Sequence, residues 1–381
     1  MLEGRLLLIG DAGKLWPAAS KEGRDVEYLF DAIRGDVARA PDKTIVVWLG
    51  DNAYERGLPL PPGDACGARA GQVSEADAKA VLKEQIRASA RARTALFVPG
   101  NHDWDRSGPC GLERVRAQEA FIENDGLSGI DPRPRAELLP DGGCPGPAAL
   151  DADHDRLPFL VVALGTEWFL REGRPKPVGE CARSLGLPET ANEAEIRRAA
   201  LGQLTAIVRT SGSREVVVVA HHPLRTHGPH GGYAAGLASF FTSLKPLAQD
   251  LGHRRNRKMV EEIEQALAAA APKTILAYAS GHDHSLQVLR AGPGGPFFLV
   301  SGSGTKTSGA GRGHDTFFKH AARGYMRIDA LRKGANLAWR LAVIEADEKG
   351  PHQLYSTWLK APTGQAASGV DDPRDLTDGR R

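Results

Sequence analysis

Residues 44–54 read TIVVWLGDNAY, an apolar run that stops at a glycine and then delivers Asp51 and Tyr54. Ile45, Val46 and Val47 are β-branched and suit a pleated strand. The same grammar occurs elsewhere. RLLLIG (5–10) ends at Asp11, ALFVPG (95–100) at Asn101 and His102, VVVVA (216–220) at His221 and His222, and ILAYASG (275–281) at His282, Asp283 and His284. Stretches 26–39, 75–93, 112–124, 191–210 and 258–270 between or beside such runs carry apolar residues at helical spacing. Strands alternating with helices predict an α/β sheet with parallel segments. In such sheets the C-terminal ends of the strands converge on one crevice, so residues far apart in sequence can meet there.

Taken singly, each strand end is an ordinary turn: an Asp-Gly corner, a capped Asn, a satisfied histidine pair. Five together, all supplying Asp, Asn, His or Tyr, point to one polar site. The chemistry that needs those residue types is a pair of metal ions roughly 3.5–4 Å apart, which can neutralise a phosphate and stabilise both oxygens of an in-line displacement. Two cations so close require a bridging anion, and Asp51 has two oxygens to share. Neutral imidazoles keep the site from losing all its positive charge.

The motifs GDAG, GDNAY, GNHD, VVAH and GHDH, in this order between residues 10 and 284, resemble the five-motif set of purple acid phosphatases within the calcineurin-like metallophosphoesterase superfamily. Gly13 and Tyr54 carry the likeness to that branch. The resemblance implies a mixed α/β fold, a four-layer αββα sandwich of two packed mixed sheets with a dinuclear site at strand C-terminal ends, over residues 1–360. It also implies hydrolysis of phosphate monoesters, of the acid phosphatase type, by a hydroxide held on an Fe(III)–M(II) centre, where M is iron, zinc or manganese. By position, Asp11, Asp51, Tyr54 and His284 would hold the ferric ion, and Asp51, Asn101, His221 and His282 the divalent one. His102 would be the general acid, with His227 near the phosphate and His230 a companion, each alternatively a surface loop histidine. Asn101 would touch substrate as well as metal. His222 receives no ligand role, because His221 fits the motif. Gly165 stands where relatives commonly have an aspartate, so one hydrogen bond behind the metal ligands is either missing or supplied from elsewhere. A phosphodiesterase or nucleotidase on the same site, or a metal-binding protein without turnover, remain the alternatives.

Composition narrows the partners. The 381 residues are 41% hydrophobic and 25% charged, with 49 basic against 47 acidic side chains, a net charge of +2 and a pI near 8.3. The charges are interspersed and not gathered into a basic face, which argues for a small phosphate ester over nucleic acid. No apolar run approaches the ~18 residues of a transmembrane helix. The chain start lacks the features of a secretory signal. The oligomeric state is left open. Cys66, Cys110, Cys144 and Cys181 fall in Gly/Pro-rich stretches that read as surface loops, which favours disulfides over free thiols and leans toward a periplasmic or secreted location. The HRRNRK cluster at 253–258 reads as a solvated helix start. Strand-like runs after residue 285 predict a second, mostly antiparallel sheet, and residues 361–381 a flexible polar tail.

Overall fold

The structure is a computed structural model and describes residues 1–150, 157–231 and 249–362. Strands β1 (Leu2–Ile9), β2 (Thr44–Trp48), β3 (Thr94–Phe97) and β4 (Ala136–Leu138) run parallel in that spatial order. Parallel neighbours need long crossovers, supplied here by helices α1 (Lys21–Arg39), α2 (Glu75–Ala88) and α3 (Gly111–Glu123). Ser20 caps α1 by accepting from the Gly23 amide, and Ser74 caps α2 by accepting from that of Asp77.

A second sheet is built around parallel strands β6 (Phe159–Leu164), β7 (Glu215–Ala220), β8 (Ala277–Ser280) and β10 (Phe297–Ser301). Antiparallel β5 (Ala148–Ala149) borders β6, while β9 (Leu286–Arg290) and β11 (Thr316–His320) complete the other edge. Helices α4 (Thr166–Leu170), α5 (Val178–Ser184), α6 (Glu193–Arg209) and α7 (Arg254–Ala268) cover its outer face.

The alternation of side chains across each strand makes the layers. Leu7, Ile9, Val46 and Trp48 pack toward the first helical layer, while Leu6, Leu8, Ile45 and Val47 face the other sheet. In the second sheet Val217 and Val219 face inward and Val216 and Val218 meet helices. Three apolar cores thus separate four layers, helices, sheet, sheet, helices, as the sandwich expectation had it. Each such buried Val or Leu contributes roughly 1.5–3 kcal/mol through apolar area removed from water.

Several expectations are corrected. The strands after residue 285 do not form a sheet of their own. β12 (Gly324–Lys333), β13 (Asn336–Asp347) and β14 (Gly350–Lys360) extend the first sheet antiparallel from β1, whereas β9 to β11 join the second. Both sheets are therefore mixed and seven-stranded. The helix expected over 75–93 ends at Ala88, and within the apolar run 275–281 the strand is Ala277–Ser280. The four cysteines form Cys66–Cys110 and Cys144–Cys181 disulfides. Cys181 is no surface-loop residue: it lies fully buried in α5. The 253–258 cluster does start a helix, capped by the His253 side chain accepting from the Arg255 amide. From residue 363 the expected polar tail lies outside the described residues. Among those described, no helix is long and apolar enough to cross a membrane.

Candidate metal centre

The five strand ends meet. Asp11 follows β1, Asp51 follows β2, Asn101 follows β3, His221 follows β7 and His282 follows β8, and all five side chains are at most 4% exposed. Asp11 (φ 59°), Asp51 (φ 56°) and His282 (φ 70°) occupy the left-handed region, which is uncommon outside glycine and concentrates at functional sites. Backbone amides steady both carboxylates: Asp11 Oδ2 accepts from the His282 N–H at 2.8 Å, and Asp51 Oδ1 from the His102 N–H at 2.9 Å.

Two groups of atoms form around these carboxylates. The Tyr54 hydroxyl donates to Asp11 Oδ1 at 2.8 Å and lies 3.3 Å from His284 Nε2, which is 3.4 Å from the same Asp11 oxygen. On the other side, His221 Nε2 lies 2.9 Å from Asn101 Oδ1, 3.2 Å from His282 Nδ1 and 3.4 Å from Asp51 Oδ1. His221 Nδ1 is 2.9 Å from the Leu49 carbonyl, which can only accept, so Nδ1 carries a proton and Nε2 is the ring nitrogen turned toward its neighbours. Asn101 Oδ1 and Asp51 Oδ1 crowd the ring nitrogens of His221 and His282, with His282 Nδ1 3.1 Å from Asn101 Oδ1. A cation bound at this point would take a lone pair from each of them, so the residues fit a metal site. Ligand atoms of Asp11, Asp51 and His221 lie within 4.8 Å of one another, as do those of His221, His222 and His282.

The electrostatics agree. Burial alone would raise the Asp51 carboxyl, but the imidazoles of His221 and His102 outweigh it and hold it at about 2. Burial, joined by Asp11 and Asp51, pushes the Tyr54 phenol well above its ordinary value. Burial, with His230, His222 and His221 nearby, holds His282 well below the usual imidazole range.

The accompanying histidines divide. His102 Nδ1 meets the Glu55 carbonyl at 2.7 Å, its Nε2 lies 3.8 Å from Asp51 Oδ2, and its ring packs 4.4 Å from that of Tyr54. The His230 ring is 4.2 Å from His282, with Nδ1 on Asp250 at 2.6 Å. His227 is not among the converging groups; its Nε2 sits on Asp315 Oδ1 at 2.7 Å. His222, which the motif left without a role, is fully buried with Nδ1 2.9 Å from Thr166 Oγ1, so the residue after Gly165 supplies a hydrogen bond at this point.

Two supports escaped the sequence reading. The Asp103 carboxylate accepts from the amides of Asn52, Ala53 and Gly100 and from Asn52 Nδ2, clamping the second and third motifs together. The second is a directional chain. Ser107 Oγ donates to Glu167, Gln249 Nε2 donates to Ser107 Oγ at 3.1 Å, and Asn101 Nδ2 donates to Gln249 Oε1 at 3.1 Å. With Gln249 Nε2 on Ser107 Oγ, the Gln249 Oε1 is left to accept from Asn101 Nδ2, and Asn101 turns its carbonyl oxygen toward His221. The only sequence signal was the D of GNHD; Gln249 and Glu167 carry none.

Fold and site together define an αββα sandwich with a buried constellation of metal-ligand type. No protein-family model matches the chain, and no curated protein matches it. Among solved structures the chain is similar to "GAP50 the anchor in the inner membrane complex of Plasmodium", at 15% identity and TM-score 0.52, covering 95% of this chain and 90% of that one. A calcineurin-like phosphoesterase, YfkN from Bacillus subtilis, aligns at 11% identity with a TM-score of 0.36, over 94% and 90% of the two chains. The likeness to GAP50 speaks for the fold, and the chemistry rests on the side chains.

Proposed function

We propose that this chain is a metal-dependent phosphoesterase that hydrolyses phosphate monoesters. Asp11, Asp51, Tyr54 and His284 would hold one ion and Asp51, Asn101, His221 and His282 the other, with Asp51 shared. The observation that carries this reading is the convergence of metal-ligand atoms on His221 Nε2, where Asn101 Oδ1, His282 Nδ1 and Asp51 Oδ1 crowd within 3.4 Å. Bound there, the ions would supply Lewis acidity, an activated water and positive charge for the phosphate. The oxygen-rich group around Tyr54 suits Fe(III), and the nitrogen-rich group suits Fe(II), Zn(II) or Mn(II).

The chain's own residues prepare the rest. Raising the Tyr54 phenol reserves its deprotonation for a strongly Lewis-acidic ion. Anchoring His102 Nδ1 on the Glu55 carbonyl leaves Nε2 to give a proton to a leaving alkoxide. Burial lowers the His102 pKa, so its acid form is populated at lower pH than that of an ordinary imidazole. His230, beside His282, supports a substrate contact; nothing in the placement of His227 supports the same role. Metal binding without turnover is the second reading, and a solved structure of similar fold is described as an anchor.

The test is the visible spectrum of iron-loaded protein beside its Tyr54→Phe variant, with rates on an aryl phosphate and a bis-aryl phosphate. A charge-transfer band lost in the variant, with faster monoester cleavage, is the expected result. No band, no hydrolysis or a dominant diesterase rate would overturn the corresponding part of the reading.

A further inference from the structure

A path leads from the metal centre to a cavity. Tyr54 is followed by Glu55, whose Oε1 lies 3.7 Å from Lys14 Nζ and 3.9 Å from Lys306 Nζ. Lys306 Nζ stands 3.8 Å above the Tyr54 ring, and Lys14 Nζ 4.4 Å from that of Trp16. Both ion pairs are too long for hydrogen bonds, so the two ammonium groups keep their donors available to an anion. Beyond them lies a cavity of about 330 Å³ lined by Ala12, Lys14, Leu15, Trp16, Val26 and Phe30. It begins at the residue after Asp11. Leu15 is 47% exposed, one of two large exposed hydrophobics among the described residues. Glu27 and Glu84 also line the wall, the Glu84 carboxylate accepting from Arg87.

From this order of metal ligands, paired lysines and cavity, we propose that the chain binds nucleoside diphosphates or triphosphates. The terminal phosphate would lie at the metal centre, the inner phosphate at Lys14 and Lys306, and the nucleoside in the Trp16 cavity. This extends the phosphoesterase reading from esters to the terminal phosphoanhydride and rests on it for the catalytic step. The aromatic wall offers a face for the base, and the Glu27 carboxylate in the wall offers an acceptor that a heterocycle uses and a fatty chain does not. In the reaction, water's oxygen bonds to the terminal phosphorus, the bond from that phosphorus to the bridging oxygen breaks, and the inner phosphate leaves with its electron pair. The products from a diphosphate are nucleoside monophosphate, orthophosphate and one proton.

The experiment compares kcat/KM for ADP and glycerol 2-phosphate in metal-loaded wild type, Lys14→Ala, Lys14→Arg and Trp16→Ala, with calorimetric titration of ADP into each. Wild type should prefer ADP by about tenfold or more, and each alanine variant should lose about tenfold on ADP, mainly in KM, while staying within about twofold on glycerol phosphate. Lys14→Arg should retain most of the ADP rate. No preference in wild type, or equal losses on both substrates, would overturn the proposal. If no ester is hydrolysed at all the phosphoesterase reading falls, and the titration still decides the subsite: about tenfold weaker ADP binding in the alanine variants upholds it, and unchanged binding removes it.

Discussion

At Gly13 a single missing methyl group allows the site to close. A Cβ there would sit 2.3 Å from the Asn52 carbonyl carbon and 2.4 Å from the Ala53 nitrogen, both backbone atoms that cannot swing aside. That contact, with the Gly13 amide on the Asp51 carbonyl at 3.0 Å, locks the first two motifs together. Gly13→Ala should therefore cost about 3 kcal/mol in chemical denaturation, at the upper end for overpacking, and lower the metal retained after gel filtration. A well-folded variant with full metal content would refute that account. Gln249→Leu tests the oriented amide chain: by removing the acceptor for Asn101 Nδ2 it should weaken one metal site by about 10- to 100-fold in a chelator competition, leaving the other unchanged. Equal affinity in both proteins would mean that Asn101 needs no guide. The two residues also mark what sequence can disclose. Gly13 belongs to a motif adjacent to its strand, so its place beside Asp11 was readable, whereas Gln249 acts on Asn101 across 148 positions through contacts only folding creates.

Among the elements, the local pattern identified β12, β13 and β14 as strands but not their neighbour. Apolar alternation says that a strand has a buried face; register and partner come from tertiary contacts. What ties β12 to the first sheet includes a polar knot beneath α1. The buried Asp36 carboxylate accepts from Arg327 at 2.9 Å, from the Tyr325 hydroxyl at 2.7 Å and from Arg39, and the Asp36 carbonyl accepts from Arg5 Nη1 at 3.0 Å. Arg5 Nε in turn donates to Asp329 at 2.7 Å, so helix α1 and strands β1 and β12 share one network. Asp36→Ala should destabilise the protein by roughly 3–5 kcal/mol, the cost of leaving buried charges unpaired. The pH dependence follows from direction. Burial alone would raise the Asp36 carboxyl, but Arg327, the Tyr325 hydroxyl and Arg5 outweigh it and hold it below its ordinary 3.8. A carboxyl lowered in the folded state stabilises above its unfolded pKa and loses that contribution as pH falls through the folded value. The stability gap between wild type and Asp36→Asn should thus stay level above about pH 5 and shrink below about pH 4. A gap that grows on acidification would contradict the network.

For the molecule as a whole, the α/β alternation and a rim of strand ends were readable because apolar runs and strand-end ligands are properties of short segments. The four layers came with the family resemblance, whereas the residue pattern alone put the last strands in a sheet of their own. The fastening of the long connections was not readable, since four cysteines allow three pairings and spacing does not choose among them. Cys66–Cys110 fastens the connection after Tyr54 to the start of α3, a few residues from Asp103 and Asp105, and Cys144–Cys181 fastens the stretch before β5 to α5. The closed loops span 44 and 37 residues, for which chain entropy gives about 4 kcal/mol of stabilisation apiece. The two bridges differ in what surrounds them. Cys181 is wholly buried in the outer core of the second sheet, so Cys144→Ser/Cys181→Ser should lower the denaturation midpoint by more than loop entropy alone, adding the cost of a polar group in an apolar setting. Cys66→Ser/Cys110→Ser should cost about 4 kcal/mol or less, and because its loop runs beside His102 it should also lower kcat/KM for phosphate esters. Equilibrium denaturation of both pairs with and without reductant checks the stability order. Equal midpoints for the two double variants, or a greater loss from the Cys66 pair, would show that burial of Cys181 adds nothing to the constraint it closes.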